Sequence, residues 1–217
     1  QITDSPLARL QIIIKTTPEK VPAYSAAKIE EKLTLAARKW TDNLYDELEK
    51  RFGIKDFEKI YGLYKMAFSL SYTNRFSAED AYYDRLQMEK VIKTNKISFD
   101  IYESLEGNFE IFEFKIYNPE THISLSNIMP LLSNMGLDVQ DEHTYEANPA
   151  HFKKSIWIHR FRFKVQGIKK PRLWDIKKNF EQAIEKIWHD DIQNDSLNKL
   201  ILLAGLKWRD SVMLRAY

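Results

Sequence analysis

Apolar positions change their spacing along this chain, and each change predicts a different kind of element. Residues 7–15 form a short run rich in β-branched side chains, read as a strand, with Pro18 and Pro22 after it. From Ala23 to Phe52 the apolar positions Ala26, Ile29, Leu33, Ala36, Trp40, Leu44, Leu48 and Phe52 step by three or four. That spacing lays them on one stripe and predicts a single long helix, with Gly53 as its stop. A second helix is expected from Asp56 to Phe68, aromatic on one side through Phe57, Tyr61, Tyr64 and Phe68. A third starts at Ser77, where Ser-x-x-Asp resembles a capping box, and runs to about Ile92.

The period then shortens to two. Ile97, Phe99 and Ile101 alternate, as do Phe112, Phe114 and Ile116, with a turn near Gly107-Asn108 between them, which predicts a hairpin. Ser124 to Met135 reads as a short helix ended by Gly136, with Pro130 kinking it or lying near its start. Val139 to Ala147 and Ile156 to Val165 read as strands. In the latter, Trp157, His159, Phe161 and Phe163 share one face and Ile158, Arg160 and Arg162 the other. A helix from Leu173 to Trp188 carries Leu173, Ile176, Phe180, Ala183 and Ile187 as its buried stripe, and a helical tail is interrupted at Gly205. Residues 95–190 therefore read β-β-α-β-β-α, and the fold class is α+β, with helices on one face of an antiparallel sheet.

Composition adds exclusions. There is no cysteine, so disulfides and thiolate metal sites are ruled out. No apolar run nears the ~20 residues of a membrane span, and the start lacks a signal-peptide pattern, so no membrane partner is expected and the compartment reads as cytoplasmic. The 11 Tyr, 12 Phe and 5 Trp point to large packing surfaces. The glycines are too scattered for a dinucleotide or phosphate loop, so no cofactor is expected in this segment. No two histidines stand at i, i+4 and none lies in a His-x-Glu signature, so no metal site is expected. His159, alternating with Trp157 and Phe161, reads as a core or edge histidine. No serine sits in a nucleophile elbow; Ser126 reads as a helix cap. Asp141-Glu142 and Asp190-Asp191 read as solvated turns. No catalytic residue is assigned. The opening at Gln1 without Met and the stop at Tyr217 inside an apolar helical stretch predict a piece of a longer chain.

Net charge is +2, but its distribution is uneven. From Asp100 to Glu146 ten acidic side chains stand against Lys115 alone; from His151 to Phe180 ten basic ones stand against Asp175 alone. The basic, aromatic strand 152–165 suggests an RNA-stacking sheet. Alternation puts its bases and aromatics mainly on opposite faces, and the acidic block belongs to the same unit. No nucleic-acid partner is therefore expected.

Several segments match a known pattern in order from end to end: Asp4-Ser-Pro-Leu-Ala-Arg9, Ala37-Arg-Lys-Trp40-Thr-Asp42, Ala67-Phe68 with Tyr72, Leu125 to Gly136, Asp141-Glu142 with Tyr145, Trp157-Ile-His159, and Asn194-Asp195 with Leu206 to Asp210 and Leu214 to Tyr217. In these the chain resembles the large bacterial NAD-dependent glutamate dehydrogenases, in the stretch before the catalytic domain where ACT-like modules alternate with helical motifs. The resemblance implies residues 1–17 as the terminal strand of one ACT-like (ferredoxin-like) module, 20–94 as a helical motif, 95–190 as the next module and 191–217 as the start of a second helical motif. It implies a parent enzyme that uses NAD, with the rest of that chain and its catalytic domain as partners, and a homo-oligomer. It also implies an amino-acid effector at the strand-to-helix turn 120–127. Ser124, Ser126 and Asn127 are the polar candidates there, unless the turn merely caps the helix. A purely structural oligomerisation module is the alternative, with Trp40, Tyr61 and Trp188 as interface candidates. Arg160, Ser133, Ser69 and Lys207 depart from the family's usual Asp, Glu, Pro and Thr.

Overall fold

The structure is a computed structural model that describes residues 25–52, 56–103, 111–165 and 173–216. The strand expected at 7–15 and the turn at Gly107-Asn108 lie outside these residues. The chain divides into two units, residues 1–39 and 40–217. In the first, α1 spans Ala26–Ala37, and its stripe residues Ile29 and Leu33 are 45% and 53% exposed.

The second unit opens with α2, Trp40–Phe52. The long helix expected over 23–52 is thus two helices, with Arg38 and Lys39 outside both. The periodicity runs through the break; in α2, Leu44 and Leu48 are buried and Trp40, Tyr45 and Phe52 pack half-buried against the same core, where α2 meets later helices of the unit. The helix expected from 56 to 68 also ends early. α3 covers Phe57–Tyr64 and a single turn, α4, covers Leu70–Thr73. Between them the backbone meets a strand end: the Ala67 carbonyl accepts the Asn148 N–H at 2.7 Å, and Phe68 bridges Ala147. Helical geometry is given up there for a tertiary pairing.

α5, Ala78–Thr94, begins as expected. Ser77 Oγ accepts the Asp80 N–H, and the Asp80 carboxylate accepts the Ser77 N–H. Four strands follow, β1 Ser98–Glu103, β2 Phe112–Pro119, β3 Leu137–Ala147 and β4 Ile156–Val165, ordered β1-β2-β4-β3 with every neighbour antiparallel. The hairpin of β1 and β2 is as predicted. β2 and β3 run parallel with β4 between them and are joined by α6, Leu125–Asn134, a split β-α-β unit. Pro130 falls inside α6. Gly136 follows with φ +82°, and a Cβ there would sit 3.1 Å from Lys199 Cβ, so this helix exit needs glycine twice over.

α7, Leu173–Trp188, lies with α6 on one face of the sheet. The core between them is Phe99, Ile101, Phe112, Phe114, Ile116, Phe161 and Phe163 against Ile128, Leu131, Leu132, Phe180, Ala183 and Ile184. The opposite face is covered as well, by α5 and its neighbours, which is why β2 is buried on both sides. The tail forms a 3-10 turn at Ser196–Lys199, then α8 at Leu200–Leu203, a break at Gly205 with φ +66°, and α9 at Trp208–Arg215. At the start of α9 the Asp210 carboxylate accepts the Lys207 N–H at 2.9 Å, half of a capping box, since the lysine side chain has no acceptor to complete it.

Candidate functional site

Two of the places in the second unit where polar side chains gather are the turn leading into α6 and the face of the sheet beneath α5.

Ser124 occupies the position before α6, but its side chain caps nothing. Its Oγ lies 2.7 Å from Ser126 Oγ. The cap reading of Ser126 is corrected, because Ser126 lies inside α6 and the position before the helix is that of Ser124. Ser124, Ser126 and Asn127 are all exposed, so they stand together on one accessible helix start. The turn is fixed from below. His159 is fully buried, and its Nε2 accepts the Ile123 N–H at 3.1 Å. That bond leaves the ring proton on Nδ1, 3.0 Å from Thr144 Oγ1, and the Thr144 hydroxyl in turn donates to Glu142. Burial and the neighbouring His122 ring push the His159 imidazole down to about 4, against the pull of Glu142. The core reading of His159 holds. Asp141 and Glu142, expected in a solvated turn, lie inside β3. Asp141 faces Arg75, His143 and Arg160 at 3.2–3.5 Å.

Beneath α5 the apolar stripe Ala81, Met88 and Val91 is interrupted by Asp84, 2% exposed. Its carboxylate accepts both Lys115 Nζ contacts at 2.8 Å, the Tyr117 hydroxyl at 2.7 Å and the Tyr72 hydroxyl. Lys115 itself is 1% exposed and lies over the Phe76 ring. Directly across the strands from Lys115 stands another buried cation, Arg160. The pair is tolerated because each has its own anion. Arg160 makes a two-pronged bond to Glu113 at 2.9 and 2.5 Å, and Tyr102 donates to the same carboxylate. Burial works to raise the Glu113 carboxyl, but Arg160, with Tyr102 and Lys115, outweighs it and holds it below its ordinary range. Burial, then Asp84, pushes the Tyr72 and Tyr117 hydroxyls far up, so both stay protonated donors. Sequence reasoning missed this group. The available signal was a charged residue on the buried stripe of α5 and another amid the apolar run of β2.

A cavity of about 410 Å³ borders this network, lined by Asp80, Tyr83, Asp84, Asp100, Tyr102, Lys115 and Lys177 among others. Its charged groups are engaged with one another, with the backbone or, for Glu79, with Arg51. Among the described residues no three His, Cys, Asp or Glu side chains gather to hold a metal, and no helix is long and apolar enough to cross a membrane. The three interface candidates are half-buried within the chain. Trp40 donates its indole N–H to the Phe76 carbonyl at 2.8 Å, Tyr61 meets Tyr45 edge-on, and Trp188 meets Phe99 edge-on.

Three family models match the chain: the ACT2 domain of glutamate dehydrogenase at residues 1–41, its ACT3 domain at 96–176, and its helical motif 3 at 192–217. The NAD-specific glutamate dehydrogenase of Halomonas elongata is 32% identical over 216 residues, which is 100% of this chain and 13% of that protein. The protein of the same name from Pseudomonas aeruginosa is 27% identical, covering 99% of the chain and 13% of the relative. That from Mycobacterium tuberculosis is 24% identical over 100% and 14%. The chain thus spans about one-eighth of the length of the curated relatives it matches.

Proposed function

The chain belongs to the family of NAD-specific glutamate dehydrogenases, as a region made of ACT2, ACT3 and helical-motif-3 segments, and on that premise we propose that it is a non-catalytic regulatory and scaffolding part of such an enzyme. The parent would convert L-glutamate, NAD and water to 2-oxoglutarate, ammonia and NADH in the cytoplasm, with NAD held elsewhere in the chain. The partners of this region are then the rest of the parent chain, its catalytic domain included, and further copies in a homo-oligomer. The observation that supports a scaffolding role is the Asp84–Lys115 pair. It ties a helix that precedes the sheet to the centre of the sheet, anchoring α5 on β2.

An amino-acid effector fits best at the start of α6. Exposed N–H groups of a helix start favour a carboxylate, and Ser124, Ser126 and Asn127 add accessible polar side chains. A thermal-shift titration of the chain against free amino acids tests this. An effector at a hundredfold excess over its Kd adds ~2.7 kcal/mol; the shift should vanish in Ser124→Ala or Ser126→Ala. Silence across the panel favours the second reading, a purely structural oligomerisation region. The exposed Met213 and Leu214 of α9 and the half-exposed rings of Trp40, Tyr61 and Trp188 support that reading.

A further inference from the structure

β1 is an edge strand, with β2 on one side. In an antiparallel pair, alternate residues turn their N–H and C=O away from the neighbouring strand. Ile101 is one of these, and both of its outward groups are taken by α7. The Glu181 carboxylate accepts the Ile101 N–H at 3.2 Å. Lys177 Nζ donates to the Ile101 carbonyl at 2.8 Å and to the Asp100 carboxylate at 2.5 Å. The two side chains stand one helical turn apart, 3.6 Å from each other. One carboxylate and one ammonium therefore offer β1 the acceptor and donor that a residue of an added strand would offer. An edge whose groups are open is a template for pairing with another chain. Space is present on both sides of the clamp: the cavity at Asp100 and Tyr102, and a second of about 370 Å³ lined by Ser98, Phe99, Glu181 and Gln182 among others.

We propose that Lys177 and Glu181 form a side-chain clamp that closes the β1 edge against a second copy of this chain, and that without it two copies join through β1. The strand is self-complementary about Ile101. A two-fold axis there sets Ile101 against its twin as a hydrogen-bonded pair, and places Asp100 of one copy across from Tyr102 of the other, so no like charges stand directly opposite. Such a pairing uses the same edge on both copies and closes as a dimer. The clamp residues are removable without hollowing the core, since their side chains are 38% and 27% exposed.

The test is sedimentation equilibrium of the chain carrying Lys177→Ala with Glu181→Ala, across a concentration series. A discrete species of twice the wild-type mass is expected, with the Ile101 amide protected from hydrogen exchange at high concentration and open on dilution. The wild-type mass at every concentration in a folded double variant would overturn the proposal, and so would heterogeneous aggregates. Glu181→Gln, which keeps an acceptor oxygen, should retain the wild-type mass. Should the double variant fail to fold, Glu181→Ala alone decides through exchange. The Ile101 amide should exchange on the order of tenfold faster than in wild type, and an unchanged rate would show that no clamp exists.

Discussion

On one face of the sheet, Phe112, Phe114, Phe161 and Phe163 meet Leu131, Leu132, Phe180 and Ile184. On the other, Lys115, Tyr117 and Tyr72 meet Asp84, and Arg160 meets Glu113. Both faces are buried, yet they constrain the fold differently. Apolar packing is non-directional and forgives changes that conserve volume. A buried ion pair forgives little, because losing one partner leaves the other charged and unpaired. The first face therefore accounts for bulk stability, while the second fixes where α5 lies on the sheet.

Asp84→Ala should have the largest effect, a loss of about 4 kcal/mol, since it strands Lys115 and two tyrosine hydroxyls. Asp84→Asn, though nearly the same shape, should not restore it. Urea denaturation measures both, and a loss below about 1 kcal/mol in Asp84→Ala would erase the contrast between the faces. Leu132→Ala, on the apolar face, should cost about 3 kcal/mol. Here the shape-conserving Leu132→Met should recover most of the loss, to within about 1.5 kcal/mol of wild type.

The apolar face also holds a fully buried titratable side chain. His159 stands opposite Ile116 with its imidazole near 4, against ~6.5 in an unfolded chain. As pH falls the unfolded chain takes up this proton first. The contribution is thus intact above about pH 7 and is lost between ~6.5 and ~4, by at most about 3 kcal/mol. Melting curves across that window should show the fall, and His159→Gln should flatten it. The smallest expected effect is that of Ser77→Ala, about 1 kcal/mol, from loss of the cap on the helix that carries Asp84.

Periodicity and local turn chemistry settled much of this protein in advance. The capping box at Ser77, the glycine exit at Gly136, the break at Gly205, the strand Ile156–Val165 and the α+β order are all local properties, carried by neighbours within a few residues. Ser124, Ser126 and Asn127 could be placed at a helix start for the same reason, but not the bond that makes the two serines partners. What the tertiary structure decided is whatever depends on a distant partner. The apolar stripe from 23 to 52 looked continuous, yet it falls into two helices, and Leu44 and Leu48 of the second are buried in a core. The helix from 56 stopped at Tyr64 because a strand end pairs with Phe68. Asp84 and Lys115 lie 31 residues apart, and Ile101 and Glu181 lie 80 apart. A charge on a buried stripe announces that a partner must exist, since burying it alone is too costly. Only the fold in three dimensions can say which side chain that partner is.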